Sequence, residues 1–263
     1  MKKGIVRHFS RIASRYNSLR ITDLEVVEFI ADKLRTRLPA RVADVGCGSG
    51  RYDIELLRRL GQGLDLICVD RCHAMLRMLH RQLRRRQLDG CRTVRAAAHG
   101  LPFMDGDLDG VLTLNAIHHL AARSFLRECE RALRPGGLLM IYTRWRSQNA
   151  RNIWGRFFPS FSEKEVRLFE REEFEGLIAE TPGLGLEAVR DFRYGRQGSL
   201  DDLLERARNH HYSTFTLYTS DEFETAIRQF EENVLRCFSD PERVTWQDEN
   251  TLLVVRRAVR TCA

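Results

Sequence analysis

Residues 42–50 read Val42-Ala43-Asp44-Val45-Gly46-Cys47-Gly48-Ser49-Gly50. Three glycines at alternate positions follow an apolar run directly. Glycine weakens helices and strands alike, so three within five residues mark a backbone that turns sharply or approaches something closely. The apolar run reads as a short strand over 41–45. Residues 52–60 read as a helix closed near Gly61 and Gly63. Strand, glycine turn and helix together aim the free amides of a helix start at a ligand. The spacing is G-x-G-x-G. It is not the G-x-G-x-x-G of dinucleotide sites, and it lacks the Gly-Lys-Ser/Thr ending of a phosphate loop.

Outward from this turn the alternation continues. Residues 64–70 read as a second strand, 73–88 as a long basic helix, 93–96 as a third strand and 108–114 as a fourth. A helix over 121–133 is stopped by Pro135-Gly136-Gly137, and 138–142 is a fifth strand. Such alternation predicts a parallel sheet with helices on both faces, which binds ligands beyond the carboxyl ends of its strands where strand order reverses. Upstream, 21–38 has helical periodicity ended by Pro39. Ile5, Phe9, Ile12, Tyr16 and Leu19 step by four and three, as in an amphipathic helix. Downstream, 163–180 reads as a helix, 186–194 as a strand, 200–208 and 221–238 as helices and 252–257 as the last strand. The expected fold is α/β: a doubly wound, seven-stranded, mostly parallel Rossmann-like sheet formed by 39–198 and 241–263. Residues 1–38 form a helical lid segment, and 199–240 form a helical insertion over the sheet's ligand edge.

Composition narrows the class. The 263 residues are 43% hydrophobic and 30% charged, enough for a sizeable core. No apolar run approaches the roughly 18 residues of a membrane helix. The net charge of +7, mostly arginine, allows an anionic partner but is equally met by solvated basic faces. The seven cysteines are odd in number, irregularly spaced and without C-x-x-C. They indicate no disulfide framework and no metal site, and a reducing cytoplasm suits them. The N-terminus carries no secretory apolar block. Its lack of acids before Asp23 would suit a transit peptide, but its period reads better as a helix packed on the domain.

Asp70 ends the second strand, 20 residues past Gly50. An acid there can accept hydrogen bonds from both hydroxyls of a ribose, although a lone strand-end Asp also serves as a helix cap. At this point an ordered set of motifs resembles a family. VADVGCGSG, LICVDRCHAML, GLPFMDGDLDGVLTLNAIHHL and ALRPGGLLMIY look like the class I S-adenosylmethionine-dependent methyltransferases, in particular the small-molecule group that includes the ubiquinone/menaquinone-type enzymes. The resemblance covers roughly residues 5–143. It implies S-adenosylmethionine as cofactor, with Gly46, Cys47, Gly48 and Gly50 bordering its methionine part. Asp44 would help to hold the amino group, usually through water or a backbone relay, and Asp70 the ribose, with Arg71 beside it. The stretch 72–76, Met75 included, would flank the adenine. The family often has an acid before the fourth strand that contacts the adenine amine. Here Ala97 stands in its place, leaving the backbone at Ala98, His99 or apolar packing to hold the base.

Asn115, His118 and His119 follow the fourth strand, on the edge that faces the methyl group in this family. Asn115 and His118 could line the cofactor. Either histidine could act as general base or simply pack beneath the next helix. Tyr212, in the hydrogen-bonding and aromatic stretch 209–223, is a further catalytic candidate. That stretch resembles the insertions that roof the acceptor pocket in this group, while Thr219 or Ser220 also reads as a plain helix cap. Phe9, Tyr16, Asn17 and Arg20 would close over the cofactor from the other side. Trp145, Trp154, Phe157 and Phe158 suggest an enclosed pocket and therefore a small organic acceptor. GCGSGRY, VDRC, NAIHHL and LLMIY also resemble the tRNA methyltransferases that esterify carboxymethyl-uridine at the wobble position. Arg77, Arg81, Arg84, Arg85 and Arg86 on one helix agree with an RNA acceptor, but such a run is more often a solvated outer face. A non-catalytic cofactor-binding scaffold is the remaining alternative, supported only by Ala97.

Overall fold

A computed structural model describes residues 3–13 and 20–259. In chain order the elements are α1 (Lys3–Ile12), α2 (Leu24–Arg35), β1 (Ala40–Val45), α3 (Asp53–Leu60), β2 (Leu64–Val69), α4 (His73–Arg86), β3 (Cys91–Val94), β4 (Leu108–Leu114) and α5 (Ala122–Ala132). There follow β5 (Leu133–Thr143), α6 (Arg146–Arg151), α7 (Ile153–Phe157), α8 (Phe161–Lys164), α9 (Arg171–Ala179), β6 (Leu184–Gly198), α10 (Leu200–Arg208), α11 (Ser220–Cys237) and β7 (Val244–Arg257). The seven strands form one sheet in the order β3-β2-β1-β4-β5-β7-β6. The first five are parallel, and β7 runs antiparallel between β5 and β6. Strand order reverses between β1 and β4, so their carboxyl ends splay apart there.

Alternation along the strands feeds two cores. Val42, Leu66, Leu112, Met140 and Leu252 point to one face, under α2 and α3. Ala43, Ile67, Val111, Leu139 and Leu253 point to the other, under α5 and α9. Parallel strands covered on both faces read as continuous apolar runs, which is why β1, β2, β4 and β5 are visible in the sequence. A third core lies outside the sheet. Trp154, Phe158, Phe161, Phe215 and Phe230 join α7, α8, α10 and α11, with Trp154 stacked on Phe230 at 5.0 Å. Thr219 caps α11 in a reciprocal box with Glu222.

Several boundaries differ from expectation. Residues 24–35 are not part of a lid: Val26, Val27, Ile30, Ala31 and Leu34 are fully buried in the sheet core. The helix expected over 163–180 is broken at Glu165, whose carboxylate turns inward to Arg167 and Thr214. Pro135-Gly136-Gly137 follows the end of α5 at Ala132, as expected, but lies inside β5, where the register with β4 slips by a bulge. The last two strands are far longer than expected, pairing from Leu184↔Arg257 to Gly198↔Val244 with one register shift between Leu186 and Ala188. Their outer halves are polar, because they run past the sheet core. No helix among the described residues is long and apolar enough to cross a membrane.

Candidate functional site

Two cavities meet at the reversal point. The sheet-edge cavity is walled by the turns after β1, β2 and β4. Gly46, Cys47, Gly48, Asp70, Arg71, Met75, Ala97, Ala98, His99, Asn115 and His119 all line it, with Phe9 above. The roofed cavity lies beside it, under α10 and the turn that follows. His118, Tyr212 and Arg20 line it, as do Asp23, Arg144, Asn149, Glu165, Arg196, Arg206 and Asp248. Phe9, Arg51, Tyr52, Asn115 and His119 line both.

The loop glycines have different tasks. Gly46 has φ +84°, and a Cβ there would lie 2.6 Å from the Ala116 Cβ, so the β1 and β4 turns touch through it. Gly50 has φ +77° and its Cβ would meet Leu79 of α4 at 2.1 Å. It serves helix packing and does not line the cavity. The Gly48 amide donates to Asp70 Oδ2 at 2.9 Å, and the Cys72 amide donates to Oδ1 at 2.7 Å. A carboxylate has about four acceptor positions, so Asp70 keeps capacity for a ligand donor. Burial pushes the Asp70 carboxyl up, and the amides of Cys72, Gly48 and Arg71 oppose that shift.

Asp44 is placed elsewhere. It is buried behind the loop, outside the cavity lining, against Asp53 of α3. Burial raises both carboxyls, Asp53 to about 6 and Asp44 well above its usual range. Two carboxylates facing each other are both acceptors, so the pair is held by a proton. The Cys68 thiol donates to Asp53 Oδ1 at 3.2 Å.

Asn115 closes β4 with φ +57°, a conformation Asn tolerates through its short polar side chain. Its amide donates to the Tyr142 carbonyl at 2.7 Å and its Nδ2 to Tyr52 Oη at 3.2 Å. His118 reaches only the roofed cavity, while His119 touches both and meets Phe9 edge-on at 5.4 Å. Burial lowers His118 to about 4, and lowers His119 further below its ordinary value than neighbouring charges alone would. Tyr212 lies under the Arg20 guanidinium at 4.1 Å, and Arg144 Nη1 donates to its hydroxyl at 3.3 Å. Tyr16 lies outside the described residues. Of Trp145, Trp154, Phe157 and Phe158, Trp154 alone lines a cavity. Trp145 belongs to the sheet core, and Phe157 and Phe158 to the third core.

Sequence reading missed Tyr52, Arg144, Arg196, Arg206 and the wall formed by Trp246, Asp248 and Asn250. That last trio carried a signal. Its spacing of two continues into Leu252 and Val254, so it lies on one face of β7. Its polarity hid it, because only the inner half of the strand is apolar.

A methyltransferase domain family matches residues 43–141. An uncharacterized methyltransferase of Mycobacterium tuberculosis is 34% identical over 122 residues, 45% of this chain and 46% of that protein. A tRNA (carboxymethyluridine(34)-5-O)-methyltransferase of Mus musculus is 28% identical over 195 residues, 69% of this chain and 26% of that protein. The chain thus spans from about a quarter to about half of the length of these relatives. Among solved structures, the YcgJ protein from Bacillus subtilis superposes with a TM-score of 0.67 at 16% identity, covering 90% of this chain and all of that one. Residues 43–141 thus match a methyltransferase domain family, and the chain carries the fold of the YcgJ protein.

Proposed function

We propose that the chain is a cytoplasmic S-adenosylmethionine-dependent methyltransferase acting on a small organic acceptor. One observation carries this reading: a cavity suited to the cofactor opens into a second cavity through five shared residues, Phe9, Arg51, Tyr52, Asn115 and His119. The lining fits an amphiphilic nucleoside. Asp70, at the rim of the cavity, keeps acceptor capacity for a ribose hydroxyl. Met75, Ala96, Ala97, Ala98, Leu120 and Ala121 offer an apolar slot for a base, and the Gly46–Gly48 backbone borders the other end. When bound, S-adenosylmethionine supplies an electrophilic methyl group on sulfur, so no covalent enzyme group is needed. The chain's part is to align donor and acceptor: Asn115 and Tyr52, held by their mutual hydrogen bond, sit at the junction with His119. Residues 199–240 serve as the acceptor's roof, together with α7 and α8. The six described cysteines are all thiols, which suits a reducing cytoplasm.

A second reading, an RNA acceptor, has its own support. Arg77, Arg81, Arg84, Arg85 and Arg86 are exposed along α4, a helix without a single acid. Incubation with methyl-labelled S-adenosylmethionine and either a low-mass cell filtrate or total tRNA separates the readings. Label in the filtrate supports the first. Label in tRNA, with binding that weakens steeply with salt, replaces it by the second. Label in neither, with no cofactor bound, removes both.

A further inference from the structure

The wall of the roofed cavity is cationic. Arg20, Arg51, Arg144, Arg196 and Arg206 line it against three carboxylates, Asp23, Glu165 and Asp248. All three carboxylates are engaged. Asp23 pairs with Arg196, and Asp248 accepts from Arg144 at 3.2 Å and from Arg196 at 3.1 Å. Glu165 accepts from Arg167 Nε at 2.7 Å and from Thr214 Oγ1 at 2.5 Å. Arg206 of α10 makes no ion pair among the described residues. The donors exceed their acceptors too: Asn149, 5% exposed, lines the cavity with its Nδ2 unpartnered, and Arg167 Nη1 is also buried without an acceptor.

The same wall offers little to an acceptor that must lose a proton. Burial keeps His118, His119 and His211 neutral and weakly basic. The carboxylates are tied to guanidinium groups. An amine, alcohol or phenol would therefore find no base matched to neutral pH, whereas an anion would find matched donors and charge.

Resting on the methyl-transfer reading above, we propose that the acceptor atom is a carboxylate oxygen, bound by the arginine wall with Arg206 as an ion-pair partner, and that the product is a methyl ester. One carboxylate oxygen forms a bond to the methyl carbon as the bond from that carbon to the sulfonium sulfur breaks. The breaking bond's electron pair stays on sulfur. The negative charge of the acid and the positive charge of the sulfonium cancel, and no proton moves. A small organic acid and an acid borne on RNA share this chemistry.

The test uses the 263-residue chain and two readouts. Methyl ester label is released as volatile methanol by mild alkali, whereas label on nitrogen, carbon or an ether oxygen is not. Alkali-labile label in the low-mass filtrate or in tRNA supports the proposal and identifies the source. Alkali-stable label in either overturns the carboxylate while leaving methyl transfer standing. Failure of S-adenosylmethionine to bind overturns both. In the second readout, chain saturated with S-adenosylhomocysteine is titrated with acetate, benzoate and succinate and with their amides. At least one acid is expected to bind tenfold or more tighter than its amide, and Arg206→Gln to remove that preference while cofactor affinity stays unchanged. Equal binding of acid and amide, or no binding by any acid, overturns the proposal.

Discussion

The three glycines of the loop look alike in the sequence and differ in the fold. Gly48 offers its amide to Asp70, Gly46 lets the β1 and β4 turns touch, and Gly50 admits Leu79 of α4. Alternate spacing announced a tight loop, but it could not assign these tasks, because each depends on a partner from a distant segment. Asp44 shows the same limit: nothing in its position at a strand end reveals that its side chain is buried against Asp53. Gly50→Ala forces a positive φ on alanine and drives a methyl into the buried Leu79. The expected loss is about 1–3 kcal/mol of stability in urea unfolding, smaller in a Leu79→Ala background. Unchanged stability would mean that α4 is not held by this contact.

At the scale of elements, β1, β2, β4 and β5 were legible because burial on both faces makes them apolar throughout. The outer halves of β6 and β7 were not, because they face the roofed cavity and carry its charges. The β1–α3 contact contains a further element-level feature, the Asp44–Asp53 pair, which makes a pH prediction. Asp53 keeps its proton to about pH 6 in the fold, while its ordinary value is 3.8. Between these values the folded state binds more protons than the unfolded chain, so this group's contribution to stability falls as pH rises. Asp53→Asn removes that dependence. The variant's melting temperature is expected to gain on that of the unmodified chain as pH rises from 4 to 7, and a constant difference would show that Asp53 ionises normally.

Across the whole molecule, the two sheet cores position the sheet-edge cavity and the third core roofs its neighbour. The helical insertion was legible as amphipathic helices, but its union with α7 and α8 was not, since those helices are short and precede β6. Trp154, 3% exposed and surrounded by Phe158, Phe161, Phe215 and Phe230, is the centre of that core. Trp154→Ala is expected to cost about 3–5 kcal/mol. Hydrogen exchange should rise first in α10 and α11, while cofactor affinity holds; a uniform rise over the sheet would deny the roof its own core. The central claim is that the glycine turn and Asp70 grip one nucleoside cofactor. Calorimetric titration of S-adenosylmethionine into the unmodified chain and into Asp70→Ala tests it most directly. The account predicts one saturable site, weakened by about 1.5–3 kcal/mol in the variant, the range for hydrogen bonds to a charged group. No saturable binding, or equal affinity in the two proteins, would contradict it.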